Sequence, residues 1–191
     1  MKKTILIALM AVLGQASVYA QSAWNIDKAH SKIGFTIVHL GISDVDGLFK
    51  NFDATIKSSK PDFSDGIFEF SADVNSINTE IEMRDEHLRG ADFFDAAKYP
   101  KLTFKSTSIK ALGKNKYALK GNLTMRGVTK PATFNLTYRG TVVHPQSKAN
   151  VAGFQLSGKI LRKDFNLGAG YPAPMLSDEV EIKANGEFTA K

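Results

Sequence analysis

The sequence predicts an all-β fold: about eight antiparallel strands forming a barrel, with one helical insertion over residues 79–98. Three observations carry this. Apolar and polar residues alternate with period two along most of the chain, turn residues recur at regular intervals, and one charged stretch breaks the alternation with helical composition.

Residues 1–20 read as a secretory signal peptide rather than as fold. Lys2 and Lys3 form a positive head, Ile5 to Leu13 an apolar run, and Val18, Tyr19 and Ala20 a cleavage site. Cleavage is expected after Ala20, leaving residues 21–191 as one domain in the periplasm or secreted. The apolar run falls short of the roughly 20 residues needed to span a bilayer, so no transmembrane span is expected after processing. The chain has no cysteine, which excludes disulfides, thiolate chemistry and cysteine-ligated metal.

The strands follow in order. Ile33, Phe35 and Ile37 alternate with Gly34, Thr36 and Val38. After a turn-rich stretch at residues 42–47 come Leu48, Phe52, Ala54 and Ile56, then Phe68, Phe70, Ala72 and Val74 against Glu69, Ser71 and Asp73. Leu102 and Phe104 follow the insertion, and Leu119, Gly121, Leu123 and Met125 alternate with Lys120, Asn122 and Thr124. Residues 126–131 read as a turn, after which Phe134, Leu136 and Tyr138 share one face. Phe154, Leu156, Gly158 and Ile160 form the next face, and Val180, Ile182, Ala184, Gly186 and Phe188 the last. Each segment is wet on one side, which either a sandwich or a closed barrel satisfies. Gly121, Gly158 and Gly186 lie on the apolar face, where glycine marks a bend or a close approach, and this favours the barrel. An eight-stranded barrel either fills with its own side chains or holds one small ligand.

The insertion starts where Thr79 and Glu82 have capping-box spacing. Gly90 is expected to interrupt the helix, Asp92 and Asp95 to restart a shorter one carrying Phe93 and Phe94, and Tyr99 before Pro100 to stop it.

Catalytic signals are sparse. His30, His39, His87 and His144 have no metal-ligand spacing, and there is no nucleophile elbow or phosphate loop. His87, with Arg84 and Asp85 in the insertion, is the one candidate acid–base group, and Ser31 a remote candidate nucleophile. An enzyme working through Arg84, Asp85 and His87 is therefore one reading of the chain. The 25 basic groups less Lys2 and Lys3 leave 23 against 19 acidic ones, an excess of +4. Lys101, Lys105, Lys110, Lys114, Lys116 and Lys120 are dispersed along strands without interleaved aromatic rings, so no nucleic-acid partner is expected.

Three stretches carry motifs: Trp24, Asp27, His30 and Ser31 spell W-x-x-D-x-x-H-S, residues 121–131 spell G-x-L-T-x-x-G-V-T-[KR]-P, and between them stand Arg84, Asp85, His87, Leu88, Asp92, Phe93, Phe94, Asp95, Lys98, Tyr99 and Pro100. In this order they resemble the opening, the later segment and the central signature of the YceI-like lipid/polyisoprenoid-binding family. For the enzyme reading, the resemblance makes a lipid-linked molecule the substrate class. One departure stands out: Asn166 and Leu167 intervene between Phe165 and Gly168, where the family often has Arg-x-Asp-aromatic-Gly. The resemblance implies an extended, lipocalin-like barrel, a periplasmic or secreted location and frequent homodimers. It also implies a hydrophobic lipid as the partner: a polyisoprenoid, an isoprenoid quinone or a fatty-acid-like chain. No catalytic residue, metal or cofactor other than the bound lipid follows from it.

On that reading the candidate lining comprises Phe35 and Ile37 from the first long strand, Phe52 and Phe70 from the next two, and Phe104 and Leu123 beyond the insertion. Phe134, Leu136, Phe154, Leu156 and Ile160 continue it, with Leu88, Phe93 and Phe94 as the closure. Arg84, His87 or Arg126 would meet a polar head at the mouth. For Arg84 and Asp85, bracing the insertion against the neighbouring strands is the favoured role.

Overall fold

A strand that is apolar on one face must bury that face, and a sheet whose first and last strands pair does so without leaving an edge. The computed structural model describes residues 21–191; the predicted leader, residues 1–20, lies outside the described residues. In chain order the elements are β1 (Ser22–His39), β2 (Ser43–Phe49), β3 (Phe52–Ser58), β4 (Ile67–Asp73), β5 (Ile77–Asn78) and α1 (Glu82–Arg89). They continue with β6 (Lys101–Gly113), β7 (Lys116–Met125), β8 (Val128–Val143), β9 (Asn150–Leu161) and β10 (Leu176–Ala190).

The order β10-β9-β8-β7-β6-β4-β3-β1 closes through a β1–β10 ladder, giving the predicted eight-stranded antiparallel barrel. β2 and β5 lie outside that circuit. β1 pairs with β3 over residues 22–25 and with β2 over residues 34–39, so it changes neighbours partway along. The change coincides with an irregularity against β10, where residues 28–31 of β1 face only Gly186 between the pairs Asp27↔Glu187 and Lys32↔Asn185. Extra residues in one strand bend it and raise its twist. The Asp27 carboxylate holds the bulge by accepting from Ala29 N at 2.9 Å and lying 2.8 Å from His30 Nδ1, while Ser31 Oγ accepts from Glu187 N at 3.0 Å. His30 thus sits inside a long strand rather than at the start of one.

Two local expectations change. Residues 43–47 are strand rather than turn, with Gly47 opposite Phe35; a Cβ at Gly47 would lie 2.2 Å from the Phe35 ring. The turn expected at residues 126–131 shrinks to Arg126 and Gly127, both at positive φ, as a two-residue hairpin requires.

One end of the barrel is sealed from inside. The β3–β4 loop inserts Phe63, 1% exposed, with its ring centroid 5.2 Å from Trp24, 5.1 Å from Tyr138 and 5.0 Å from Phe154. Phe63 has φ +59, which costs about 1–2 kcal/mol for a residue with a Cβ. Burying its ring contributes about 1.5–3 kcal/mol, enough to offset that strain. The Asp65 carboxylate ties the loop down, accepting from both hydroxyls of Ser58 and Ser59 and from Ser59 N at 3.1 Å and Lys60 N at 3.3 Å. Burial pushes the Asp65 carboxyl up, but these donors together outweigh it and hold it at about 2.

A folded value below the unfolded value of about 3.9 stabilises the fold in full above that pH, and the contribution fades as pH falls toward 2. Asp65→Asn is expected to lose about 1–2 kcal/mol near neutral pH. Urea unfolding of both proteins across pH 2 to 6 should show the gap closing at the acid end.

Candidate functional site

Inside the barrel lies a cavity of about 480 Å³, within the range of about 300–1,000 Å³ of sites that enclose a small molecule. β1 contributes Ile33, Phe35 and Ile37, β4 Phe68 and Phe70, and β6 Leu102 and Phe104. Leu119 and Leu123 of β7 and Phe134 and Leu136 of β8 continue the wall. β9 adds Phe154, Leu156 and Ile160, and β10 Val180, Ile182 and Ala184. The room depends on small residues beside large ones. A Cβ at Gly121 would stand 2.4 Å from the Phe104 ring, and one at Gly158 2.7 Å from Phe134. These glycines let the rings lie flat against the wall, as the close-approach reading required.

The insertion caps the end opposite Phe63. Its helix runs only over α1, and the Thr79–Glu82 capping box does not form, because Ile81 occupies the N-cap position without a side-chain cap. Thr79 turns to Asp85 instead, donating its N–H at 2.8 Å and its hydroxyl at 2.5 Å to one carboxylate oxygen. Arg84 completes the knot, with Nε 2.7 Å from Thr79 Oγ1 and Nη2 2.7 Å from Thr79 O. Arg84 and Asp85 therefore brace the insertion, and Asp85 is 2% exposed with its contacts directed at Thr79. Residues 92–95 form turns instead of a second helix: Phe94 N bonds Leu88 O at 3.0 Å and Ala96 N bonds Arg89 O at 2.9 Å, folding the segment back on α1. Both phenylalanines point inward, Phe93 7% and Phe94 9% exposed, with Phe94 edge-on to Phe49 at 6.0 Å.

A second segment completes this end. Arg162, 2% exposed, organises residues 167–177 through backbone carbonyls: Nε meets Ser177 O at 2.9 Å, Nη1 meets Leu167 O at 2.9 Å and Gly168 O at 2.7 Å, and Nη2 meets Tyr171 O and Leu176 O. Asp178 lies 3.3 Å from Nη2 and offsets the charge. The unusual Asn166 takes a left-handed conformation at φ 57, which asparagine tolerates, and Gly168 at φ +61 packs under Phe93. Gly168 N bonds Asp92 O at 2.8 Å, and Tyr171 stacks on Phe93 at 5.1 Å with its hydroxyl 3.1 Å from His87 Nε2. Arg126 pins the same two segments by donating to Ala91 O at 2.6 Å and to Asn166 O.

Of the residues selected from sequence, Arg84, His87, Leu88, Phe93 and Phe94 border the cavity at its cap, and the selected strand residues line its wall, with one exception. Phe52 is buried but off the cavity wall, because it opens β3 directly after the turn and packs opposite Ala72. Arg126 is committed to the two cap carbonyls and does not border the cavity. His87 and Asp85 do not form an acid–base pair, since Asp85 faces Thr79 while His87 faces Tyr171 and Asp92. The sequence reading missed Arg162, whose clue was the adjacent pair Arg162 and Lys163 closing an apolar strand. It also missed Tyr171, Met175 and Leu176 from a segment without alternation.

Polar groups border the cavity near the cap at His39, Thr79, Arg84, His87, Arg162 and Tyr171, and along the wall at Thr55, Glu69 and Asn185. A shallow polar groove holding Lys32, Asp44, Asp46 and Lys183 adjoins it through Gly34, Phe35, Val45, Thr79, Arg84 and Asn185. Among the described residues no buried side-chain nitrogen or oxygen lacks a hydrogen-bond partner. The interior accordingly offers shape and dryness rather than a convergent polar constellation. One trio among the described residues, Asp27, His30 and Glu187, brings metal-capable atoms within 4.8 Å of one another. It belongs to the bulge away from the cavity, and the Asp27–His30 hydrogen bond accounts for the closeness of two of its members.

Comparison with known proteins agrees with this architecture. The family model described as YceI-like domain matches residues 24–188. Protein YceI of Salmonella arizonae is 38% identical over 186 residues, covering 95% of either chain. The crystal structure of Burkholderia cenocepacia BcnA superposes with a TM-score of 0.77 at 30% identity, over 85% of this chain and 98% of that one. A polyisoprenoid binding domain from Saccharophagus degradans shares the fold at a TM-score of 0.67 and 18% identity, over 88% of this chain and 98% of that one.

Replacing Arg162 strands several buried carbonyls at once. Arg162→Ala is expected to cost about 3 kcal/mol or more in unfolding free energy. Arg162→Lys should recover little of it, because an ammonium cannot reproduce the guanidinium fork. Recovery to wild-type stability by lysine would show that charge, not the fork, holds the cap.

Proposed function

The chain belongs to the YceI-like family, and from that premise we propose that it binds a long apolar lipid inside the barrel and acts as a carrier or store. The ligand class is a polyisoprenoid, an isoprenoid quinone or a fatty-acid-like chain, and the site of action the periplasm or the cell exterior. The apolar cavity inside the barrel is the observation that carries this reading. Transfer of each CH₂ from water contributes about 0.8 kcal/mol, so about ten carbons supply roughly 8 kcal/mol against the cost of association. A dry wall is then sufficient for binding. The saturated Thr79–Arg84–Asp85 knot favours binding over catalysis, because its polar atoms already serve the fold.

Native mass spectrometry of gently purified protein is expected to show a copurified hydrophobic mass; a clean apo mass with no uptake of added quinone or fatty acid would overturn the reading. Ala184→Phe, which fills the cavity wall, should reduce uptake severalfold with little loss of stability. Phe94→Asp should loosen ligand retention more than it reduces export, since it opens the cap; unchanged lipid content would remove the cap from the mechanism.

A further inference from the structure

Charge is segregated along the chain in a way the near-balanced total conceals. Residues 96–163 contain fourteen lysines and arginines and no aspartate or glutamate, so all 19 acidic residues lie outside that span. The span holds β6, β7, β8 and β9, which are four consecutive staves. Half of the barrel wall is therefore purely basic, while β10, β1, β3 and β4 carry the acids of the other half.

The basic residues have few ion-pair partners within the fold. Lys105 reaches Glu69 across the β4–β6 seam at 2.6 Å, and Lys159 reaches Glu179 across the β9–β10 seam at 2.8 Å. Beyond the wall itself, Lys163 pairs with Asp178 at 2.7 Å and the buried Arg162 lies 3.3 Å from the same carboxylate. Between the seams, Lys110, Lys116 and Lys120 are exposed and form no ion pair among the described residues. The register groups them on neighbouring rungs, with Ser108 opposite Lys120, Lys110 opposite Ala118 and Gly113 opposite Lys116. Around them the outer face carries threonine, serine and asparagine, with Leu112 exposed between Lys110 and Lys116 and Val142 and Val143 exposed at the end of β8; it has no aromatic ring and so no platform for stacking bases.

We infer that the β6–β9 wall docks on a bilayer rich in anionic phospholipid, holding the barrel against the surface by spread charge. A diffuse array of lysines matches a plane of headgroups, each adding an increment that salt weakens. The inference rests on the carrier reading only for the choice of a lipid surface.

Sedimentation of the purified protein with phosphatidylglycerol-rich and pure phosphatidylcholine vesicles tests it. Binding is expected to the anionic vesicles alone and to fall steeply with added salt. The triple change Lys110→Glu, Lys116→Glu and Lys120→Glu should cut partitioning about tenfold or more. The matched change Lys28→Glu, Lys32→Glu and Lys57→Glu, with the same net charge on the other wall, should alter it less than about twofold. Thermal melts establish that both triples fold, and Lys→Arg at the three wall positions should retain binding. No preference for anionic vesicles, equal loss from both triples, or tighter binding to a single-stranded oligonucleotide than to the vesicles would each overturn the inference. Native mass spectrometry of the same samples reads the cavity ligand separately, so an empty cavity and a failed docking surface give different results.

Discussion

An antiparallel sheet of eight strands has two edges unless its outermost strands find each other, and a half-open sheet cannot keep water from its inner face. Here β1 and β10 pair from Trp24↔Ala190 to His39↔Leu176, and the cavity inside the barrel depends on that ladder. The ladder cannot be straight, because β1 serves β3 in its first part and β2 in its last. The bulge at residues 28–31 lets one strand do both, and the hydrogen bonds of Asp27 and Ser31 keep its extra backbone satisfied. Asp27, His30 and Ser31 thus hold the bulge on which barrel closure depends.

The barrel is closed by a loop at one end and by α1 with its flanking turns at the other, and each end solves its own polar problem. At the Phe63 end a carboxylate gathers hydroxyls and backbone N–H groups; at the cap an arginine gathers backbone carbonyls. Loops buried against an apolar interior leave donors and acceptors that water would otherwise meet, and each unpaired group would cost about 1–3 kcal/mol. One charged side chain that bonds several such groups removes the problem while leaving the cavity wall apolar. Asp85 does the same for the entry to α1.

The strands were legible because each has one wet face, so alternation survives in the sequence wherever pairing is regular. Legibility fails where pairing is irregular: the first part of β1 escaped notice because the bulge breaks its alternation at Asp27 to Ser31. The Thr79–Glu82 spacing fits a capping box, yet Asp85 competes for the same threonine and wins with two hydrogen bonds to one oxygen. Phe93 and Phe94 were recognised as closure but placed on a helix, and the turn that aims both rings inward depends on Leu88 O and Arg89 O, which no local pattern announces. Residues 166–175 were invisible for the same reason, since Arg162 orders them at a distance.

Closure also explains how so uneven a charge distribution is tolerated. Strand order in the barrel follows chain order over β6 to β9, so a stretch of sequence without acids becomes a continuous basic wall. That wall meets counter-charge at its seams, where Lys105 reaches Glu69 and Lys159 reaches Glu179, while the lysines between the seams alternate with the apolar lining and face water. Repulsion among exposed lysines is weak at physiological ionic strength, where charges farther apart than about 8 Å are largely screened. The fold therefore bears the asymmetry cheaply while the outer potential keeps its sign. A barrel with one purely basic wall and one wall that mixes acids with Lys28, Lys32, Lys57 and Lys183 has a defined electrical orientation, and a charged surface exerts a torque on it.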